Sequence, residues 1–463
     1  MIMMIGIIRY NSKAIATNGK KRFFPFDPID KQNTLDSEGN KRQIMVASQK
    51  KTKIAQWAIV TLLPNSSNSL YKATIVEILG AVHQQEIERI ALLRHYTVLP
   101  RKYPRETQDD VIKRGLEKDD ILKKIQIRDL TYLNTFSIDD ESTLDVDDAI
   151  SIEYLSNSEA IIGIHIAFVG CEFSPTSTLG QHVLKHCASV YTSTKEYPLL
   201  HPSLSHDNLS LVQDQDRFVV SLLIHIDIKT NKRLQTEHCF AKIRNKNKTS
   251  YTQFNIDETK EKIILQNYTK VKDATDIVAS LMIEYNTYFA HLTNCILRTQ
   301  QTDLPAQYVL VNGEQNYNHA SLNLDKYTHA TSPIRRVIDI IIQWVLIYGS
   351  NIRESIQEYY PNYIDHINEQ STKIKRCHRD STLLDLVYRA KQDGGFSVDV
   401  TILERRADAF KAEIKIYNGT FRTWFPITGS LIAELEEIKE DKFSAQLCGY
   451  HKNGFPRLLL KSI

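Results

Sequence analysis

Ser137-Ile138-Asp139-Asp140-Glu141-Ser142-Thr143-Leu144-Asp145-Val146-Asp147-Asp148-Ala149 places six carboxylates within ten residues, Asp139 to Asp148, with no lysine or arginine among them. Upstream, Tyr132–Phe136 reads as a short strand. Downstream, Ala149–Tyr154 alternates apolar and polar residues and reads as another. The acids therefore lie on a connection between two half-buried strands. Carboxylates held that close repel each other, and burial raises their pKa values further. A hard cation with oxygen ligands, magnesium above all, relieves both penalties. A solvated acidic loop is the alternative for any run of acids. The placement between strands, with Leu144 and Val146 interleaved, favours the metal.

A second stretch, Tyr327-Thr328-His329-Ala330-Thr331-Ser332-Pro333-Ile334-Arg335-Arg336, runs into Val337–Leu346, which is almost wholly apolar and predicts a buried helix. Ser332 reads as its N-cap and Pro333 as its first residue, which puts Arg335 and Arg336 in the first turn. Cations there oppose the helix dipole, so a pair of them makes sense around a shared anion. Helix N-termini bind phosphate, and arginine grips it with two hydrogen bonds. The alternative pairs one arginine with the acidic loop and leaves the other in solvent. An acidic metal loop and an arginine-bearing phosphate site together point to phosphoryl chemistry, in which metals activate water and stabilise the leaving oxygen.

The two motifs resemble those of the ribonuclease II / ribonuclease R family of processive 3′-to-5′ exoribonucleases, whose catalytic unit is the RNB domain. That family carries Ile-Asp, five residues, then Asp-x-Asp-Asp-Ala, matched here by Ile138, Asp139, Asp145, Asp147, Asp148 and Ala149. It also carries Tyr-Thr-x-x-Thr-Ser-Pro-Ile-Arg-Arg, matched by Tyr327 to Arg336. Between them, Gly163–Ala167, Ser189–Tyr191 with Tyr197–Leu200, and Leu204–Arg217 are similar to weaker family segments. The resemblance covers roughly residues 131–390.

The resemblance implies a hydrolytic 3′-to-5′ exoribonuclease of the exoribonuclease II type. Such an enzyme degrades single-stranded RNA to nucleoside 5′-monophosphates with one or two Mg²⁺ ions, Mn²⁺ being a substitute. It implies Asp139, Asp145, Asp147 and Asp148 as metal ligands, Asp147 as the critical carboxylate, and Arg335 as the group that stabilises transition-state charge. On the RNA-binding side it implies Thr331, Ser332 and Arg336 around that arginine, Tyr191 stacked on a terminal base, and Tyr251 near the ribose. For each tyrosine a core position with a satisfied hydroxyl is the alternative.

Several positions depart from the family pattern. Phe168 stands where the family has Asp, and Val337-Ile338-Asp339-Ile340-Ile341-Ile342-Gln343 replaces a segment that opens Tyr-Pro-Asp-Leu and ends in His. Ala279-Ser280 replaces an acidic pair, and Cys377-His378-Arg379-Asp380 replaces a Glu-Arg segment. A catalytically weak or inactive RNA-binding protein on the same fold is therefore the alternative function. A proton-donating Asp-x-Asp-Asp of the terpene-cyclase kind is disfavoured by the arginine helix. A calcium loop is disfavoured by the missing glycine and distal glutamate.

A chain of 463 residues exceeds what one core fills and predicts two to four domains. Residues 1–80 show short strand-like runs separated by turn residues and predict a small β-barrel, which the family resemblance implies is a cold-shock-like OB barrel. Phe23, Phe24 and Phe26 beside Lys20, Lys21 and Arg22 predict either a base-stacking surface or barrel core. Residues 81–130 read as a linker with one helix over Gln84–His95, and its Arg101, Lys102 and Arg105 as solvated charge. Residues 131–392 read as the catalytic domain, strands first and then helices, including one over Asp273–Leu292 with Met282, Ile283, Tyr285 and Phe289 inward. After Gly394-Gly395, residues 394–463 predict an S1-like OB barrel, with Phe421, Trp424 and Phe425 either on an RNA-facing patch or in the core. The fold class expected is α+β multidomain, an RNB-type domain flanked by OB-type barrels.

The net charge of +3 requires RNA affinity to come from local patches. Six scattered cysteines with no Cys-x-x-Cys pair argue against structural zinc and against a disulfide framework. Met1–Ile8 is too short to span a membrane and lacks the features of a signal peptide. The expectations are a cytoplasmic monomer that binds single-stranded RNA and no membrane.

Overall fold

The structure is a computed structural model that describes residues 3–14, 16–18, 21–30, 43–64, 70–99, 101–313, 315–406, 409–416, 419–426 and 442–461. The chain divides into two units, one of residues 1–101, 191–195 and 373–463, the other of residues 102–190 and 196–372.

In the first unit, Met3–Ile8 pairs with both Gln56–Leu62 and Lys21–Pro28, which closes a ring through Leu70–Ala81 and Gln43–Ser48. Gln43–Ser48 and Leu70–Ala81 run parallel, and the other pairs antiparallel. This is the connectivity of a five-stranded OB-type barrel. Closure depends on Gly6, because a Cβ there would meet the Asp27 carbonyl oxygen at 2.1 Å. Phe24 and Phe26 pack inward with Ile8, Val46 and Val60. Those two aromatics are therefore core, Phe23 is half-buried, and Lys20 lies outside the described residues.

The same unit holds a five-stranded sheet in the order Gly419–Pro426, Ala409–Ile416, Phe396–Arg405, Lys442–Lys452, Phe455–Lys461. Phe410, Phe421 and Phe425 fill its core. Trp424 instead lies at the half-buried rim, with the Arg406 guanidinium 4.0 Å from its ring centroid. Arg457 and Lys461 sit on strand Phe455–Lys461.

The stretch expected to be linker is more ordered than its charge suggests. It holds helices Gln85–His95 and Gln108–Lys124. The second opens on a reciprocal capping box between Thr107 and Asp110, the signal for a helix start that the charged composition hides.

The second unit is built on another closed ring. Asp216–Asp227 pairs with Glu159–Ala167, that strand with Asp148–Tyr154, and Asp148–Tyr154 with Thr135–Asp139. Thr135–Asp139 runs parallel to Lys232–Ser250, which returns to pair with Asp216–Asp227. Alternation sends Ile162, Ile164 and Ile166 to one face, where they meet Ile277, Leu281, Tyr285 and Phe289 of helix Ala274–Thr293. Asp273 caps that helix; Tyr285 and Phe289 face inward as the sequence suggested, while Met282 and Ile283 are only half-buried and Leu281 takes the inward position. On the opposite face His165 is hydrogen-bonded to Ser151 Oγ at 2.9 Å and Ser221 Oγ at 2.8 Å. Burial pushes its imidazole down to about 3, so the ring is neutral.

Helix Val337–Tyr348 is buried at every position from Val337 to Val345 because apolar clusters lie on both sides of it. Each such Ile or Val contributes about 1.5–3 kcal/mol of transfer free energy before entropy losses. All six cysteines are free thiols. No helix among the described residues is long and apolar enough to cross a membrane.

Candidate active site

Asp139 ends strand Thr135–Asp139, Asp148 begins strand Asp148–Tyr154, and Asp145 and Asp147 lie on the connection. The first strand lies three residues later than the sequence suggested, so Asp139 is itself part of the sheet. The connection is tied down from several sides. Ser210 Oγ accepts the Val146 N–H at 2.9 Å and donates to the Leu144 carbonyl at 2.8 Å. The Leu211 N–H donates to the Val146 carbonyl, and the Ala167 N–H to that of Asp147, both at 2.9 Å. Lys248 Nζ donates to the Thr143 carbonyl at 2.6 Å. Val146 is buried but Leu144 is 56% exposed, so only one of the two interleaved apolar residues anchors the loop.

Asp147 is buried and receives two donors from the second motif. Its Oδ1 accepts the Ile334 N–H at 2.8 Å and its Oδ2 faces Arg335 Nε at 3.1 Å. Arg335 Nη2 donates to Ser332 Oγ at 2.9 Å, yet the Arg335 side chain stays 44% exposed.

The expected capping of the following helix is wrong. The helix starts at Val337 with Arg336 extended at the N-cap, so both arginines precede it. Asp147 draws in the Ile334 N–H, and Ala188 forms a β-bridge with Arg336, which together hold this backbone out of the helical conformation. Ser332 caps nothing; its N–H donates to Asp339 Oδ1 at 2.8 Å. Arg336 Nη2 bonds the same oxygen at 2.8 Å and reaches Thr331 Oγ1 at 3.5 Å. Thr331 and Ser332 are buried. These three residues form a frame behind Arg335 and present little surface.

The four aspartates act on one another electrostatically. Burial pushes Asp147 well above the usual carboxylate range, Arg335 and the Ile334 N–H oppose that shift, and Asp145 and Asp148 add to it. Burial, and then Asp139, push Asp148 up to about 7. Burial pushes Asp139 up to about 6, with Lys248 pulling it down and Asp145 raising it. Oδ2 of Asp139 is buried without a hydrogen-bond partner. Oxygen donors of this kind, one of them orphaned, match the chemistry of a hard divalent cation such as Mg²⁺, although as the chain stands no three of these carboxylates bring oxygens within 4.8 Å of one another.

Tyr251 begins a short helix after Lys232–Ser250. Its hydroxyl is pushed up to about 12 by burial and then by Asp148 and Asp139, which places it in the field of the same acids. Tyr191 is exposed and falls in the other unit.

The structure adds residues that sequence reasoning missed. Ser210 clamps the acidic loop, and its only signal was the family-like Leu209-Ser210-Leu211. Arg298, on strand Ile296–Thr299, lies 5.1 Å from the Tyr308 ring centroid. The Tyr308 hydroxyl is 2.5 Å from His329 Nδ1. Burial, and then Arg336, Arg298 and Arg335, hold His329 well below the usual imidazole range. Three arginines thus act on one neutral histidine, and a lone arginine in a four-residue strand carries no sequence signal of that.

The departures from the family pattern have structural roles. Phe168 is buried against Phe240, with ring centroids 4.9 Å apart. Gln343 accepts the Gly170 N–H at 2.7 Å and donates to the Ala167 carbonyl at 2.8 Å, tying the end of Glu159–Ala167 to helix Val337–Tyr348.

A family model described as the RNB domain matches residues 127–274 and 255–348. A protein named Ribonuclease R from Thermotoga maritima is 31% identical over 159 residues, which is 34% of this chain and 22% of that protein. The matched stretch therefore spans about a fifth of that relative's length. The solved structure of Mycoplasma genitalium RNase R in complex with ribose-methylated single-stranded RNA superposes with a TM-score of 0.73 at 17% identity, covering 100% of this chain and 90% of that one. Yeast Ssd1, described as a pseudonuclease, superposes with a TM-score of 0.70 at 13% identity, covering 99% and 82%.

Proposed function

We propose, from the premise that residues 127–348 of this chain form an RNB domain, that it hydrolyses single-stranded RNA from the 3′ end and releases nucleoside 5′-monophosphates. The observation that carries this function is the pairing of Arg335 with buried Asp147, which Asp145 and Asp148 both repel. Asp139, Asp145, Asp147 and Asp148 would hold one or two Mg²⁺ ions, with Mn²⁺ as a substitute. Such an ion, when bound, supplies Lewis-acid charge and lowers the pKa of a water.

The chain's own residues supply the rest. Arg335 is held by Asp147 on one side and Ser332 on the other, so its guanidinium is oriented before substrate arrives. Its exposed part is aimed at charge that grows on the phosphate oxygens in the transition state, where a preorganised donor counts most. Arg336 spends its hydrogen bonds on Asp339 and Thr331 and keeps the Arg335 backbone in place. Tyr251 would face the ribose of the bound end, and Tyr191 would stack on the terminal base, a sequence-tolerant contact.

A weakly active or inactive RNA-binding protein is the alternative, and the changed positions Phe168 and Gln343 favour it. One experiment separates the two. Purified protein with Mg²⁺ and 5′-labelled single-stranded RNA should give a descending ladder that ends in a short oligomer and disappears with EDTA. Undegraded but bound RNA, with Mg²⁺ or Mn²⁺ present, would establish the alternative. Random internal cuts would refute 3′-end processing.

A further inference from the structure

The first unit carries a second cluster of metal-ligating side chains, with different chemistry. His83 follows strand Leu70–Ala81 in a left-handed conformation, with φ of 65°. Glu88 lies in the first turn of helix Gln85–His95, and His451 near the end of strand Lys442–Lys452. One ligand atom from each of the three lies within 4.8 Å of the other two. The two imidazole centroids are 4.6 Å apart with the rings at 87°. Two imidazole nitrogens and one carboxylate oxygen make the donor set that suits zinc-class ions, unlike the all-oxygen aspartate site.

The neighbourhood is built around Glu88. Its carboxylate is 1% exposed, its Oε1 accepts the His83 N–H at 2.9 Å, and its Oε2 faces His451 Nε2 at 3.0 Å. The bond to Glu88 holds the unusual backbone of His83, and that conformation brings the His83 ring beside His451. Two ligand atoms on one tetrahedral zinc sit about 3.3 Å apart, from bond lengths of about 2.0–2.2 Å. The 3.0 Å contact between His451 and Glu88 needs only a small opening to admit the ion.

One neighbour opposes it. Lys391 Nζ lies 3.2 Å from His451 Nδ1. Ligation through Nε2 requires the ring proton on Nδ1, so the lysine ammonium must swing into solvent. Lys391 is exposed and free to do so.

We propose that His83, Glu88 and His451 bind one zinc-class divalent transition-metal ion, with water in the remaining coordination position. The ion would pin strand Lys442–Lys452 to the turn and helix that follow Leu70–Ala81. The site does not depend on the function proposed for the aspartates.

The test uses the full chain, stripped with a chelator and returned to buffer with excess Mg²⁺ to occupy the all-oxygen site. Titration with Co²⁺ should give one equivalent of tetrahedral ligand-field absorption, abolished by equimolar Zn²⁺, and Zn²⁺ should raise the thermal midpoint. His83→Ala removes an exposed ligand and leaves the core intact, so it should fold and lose affinity by more than about 100-fold, the upper end of what losing a mere outer-shell partner costs. His451→Ala should do the same. Lys391→Met should bind the ion more tightly than the parent, because the opposing ammonium is gone. No tetrahedral spectrum, or a His83→Ala protein that titrates like the parent, would overturn the site and leave a hydrogen-bonded clasp only.

Discussion

Arg335 Nε lies 3.1 Å from Asp147 Oδ2, although 188 residues separate them in the chain. The carboxylate is buried and the arginine half-exposed, so the pair faces solvent on the arginine side alone. Replacing Asp147 by Asn keeps an oxygen for the Ile334 N–H and removes a buried charge. Asp147→Asn should therefore fold with an unfolding midpoint at or above that of the metal-free parent. RNA binding should persist while degradation of labelled RNA disappears. A variant that still yields the ladder would remove Asp147 from the chemistry.

Arg335→Lys preserves the charge but not the fork that engages Asp147 and Ser332 together. Loss of one oriented donor to a transition-state oxyanion costs about 10²–10³ in kcat. Steady-state kinetics should show that loss mainly in kcat, with KM changed little. A change confined to KM would make Arg335 a binding residue only.

Asp139 and Asp148, with folded-state values of about 6 and about 7, are raised above the ordinary carboxylate value, chiefly by burial. Between the ordinary value, roughly 4, and those values the folded chain holds more protons than the unfolded one, so stability falls as pH rises. The contribution is fully present below about pH 4 and is lost as pH climbs through 6 and 7. In chelator, the midpoint of the parent relative to Asp148→Asn should drop between pH 5 and pH 8. Mg²⁺ should restore it at pH 8 and do little at pH 5, since the ion needs ionised carboxylates. Thermal melts at the two pH values, with and without Mg²⁺, check both parts.

Much of this site was legible in the sequence because its chemistry is dense and local. Asp139, Asp145, Asp147 and Asp148 lie within ten residues of one another, and their mutual repulsion follows from spacing alone. What failed was the cap of the buried helix. Ser332-Pro333 is a sound local signal, but Asp147 and Ala188 take over the backbone that the helix would have used. Such tertiary capture has no local trace, and neither does the joint action of Arg298, Arg335 and Arg336 on His329. The helix Gln108–Lys124 was hidden for a different reason. Its apolar stripe is thin, Ile121 being its one buried residue, and periodicity had little to register.

Ser210→Ala removes the hydrogen bonds from its Oγ to the Val146 N–H and the Leu144 carbonyl. The expected cost is about 1–3 kcal/mol, because a buried N–H loses its partner. Mg²⁺ affinity should fall as well, since the loop carrying Asp145 and Asp147 is no longer fixed. Calorimetric Mg²⁺ titration reads the second effect; unchanged affinity would show that the loop is held by its other contacts.

Gln343→Ala strands the Gly170 N–H and the Ala167 carbonyl together. Two unsatisfied buried groups and a small cavity should cost about 2–5 kcal/mol. Denaturant unfolding checks this, and Gln343→His tests whether the family's residue rebuilds either bond.

Strand Thr135–Asp139 pairs in parallel with Lys232–Ser250, and the Asp147 carboxylate takes its donors from Ile334 and Arg335. A ribosome delivers the acids long before it delivers either. Pairings so distant in sequence make a slow folder, and the nascent domain must carry Asp147 without its arginine until 188 further residues have emerged. Chains halted ahead of Ile334 should stay protease-sensitive around the acidic loop, and those extended through helix Val337–Tyr348 should gain protection there in a single late step.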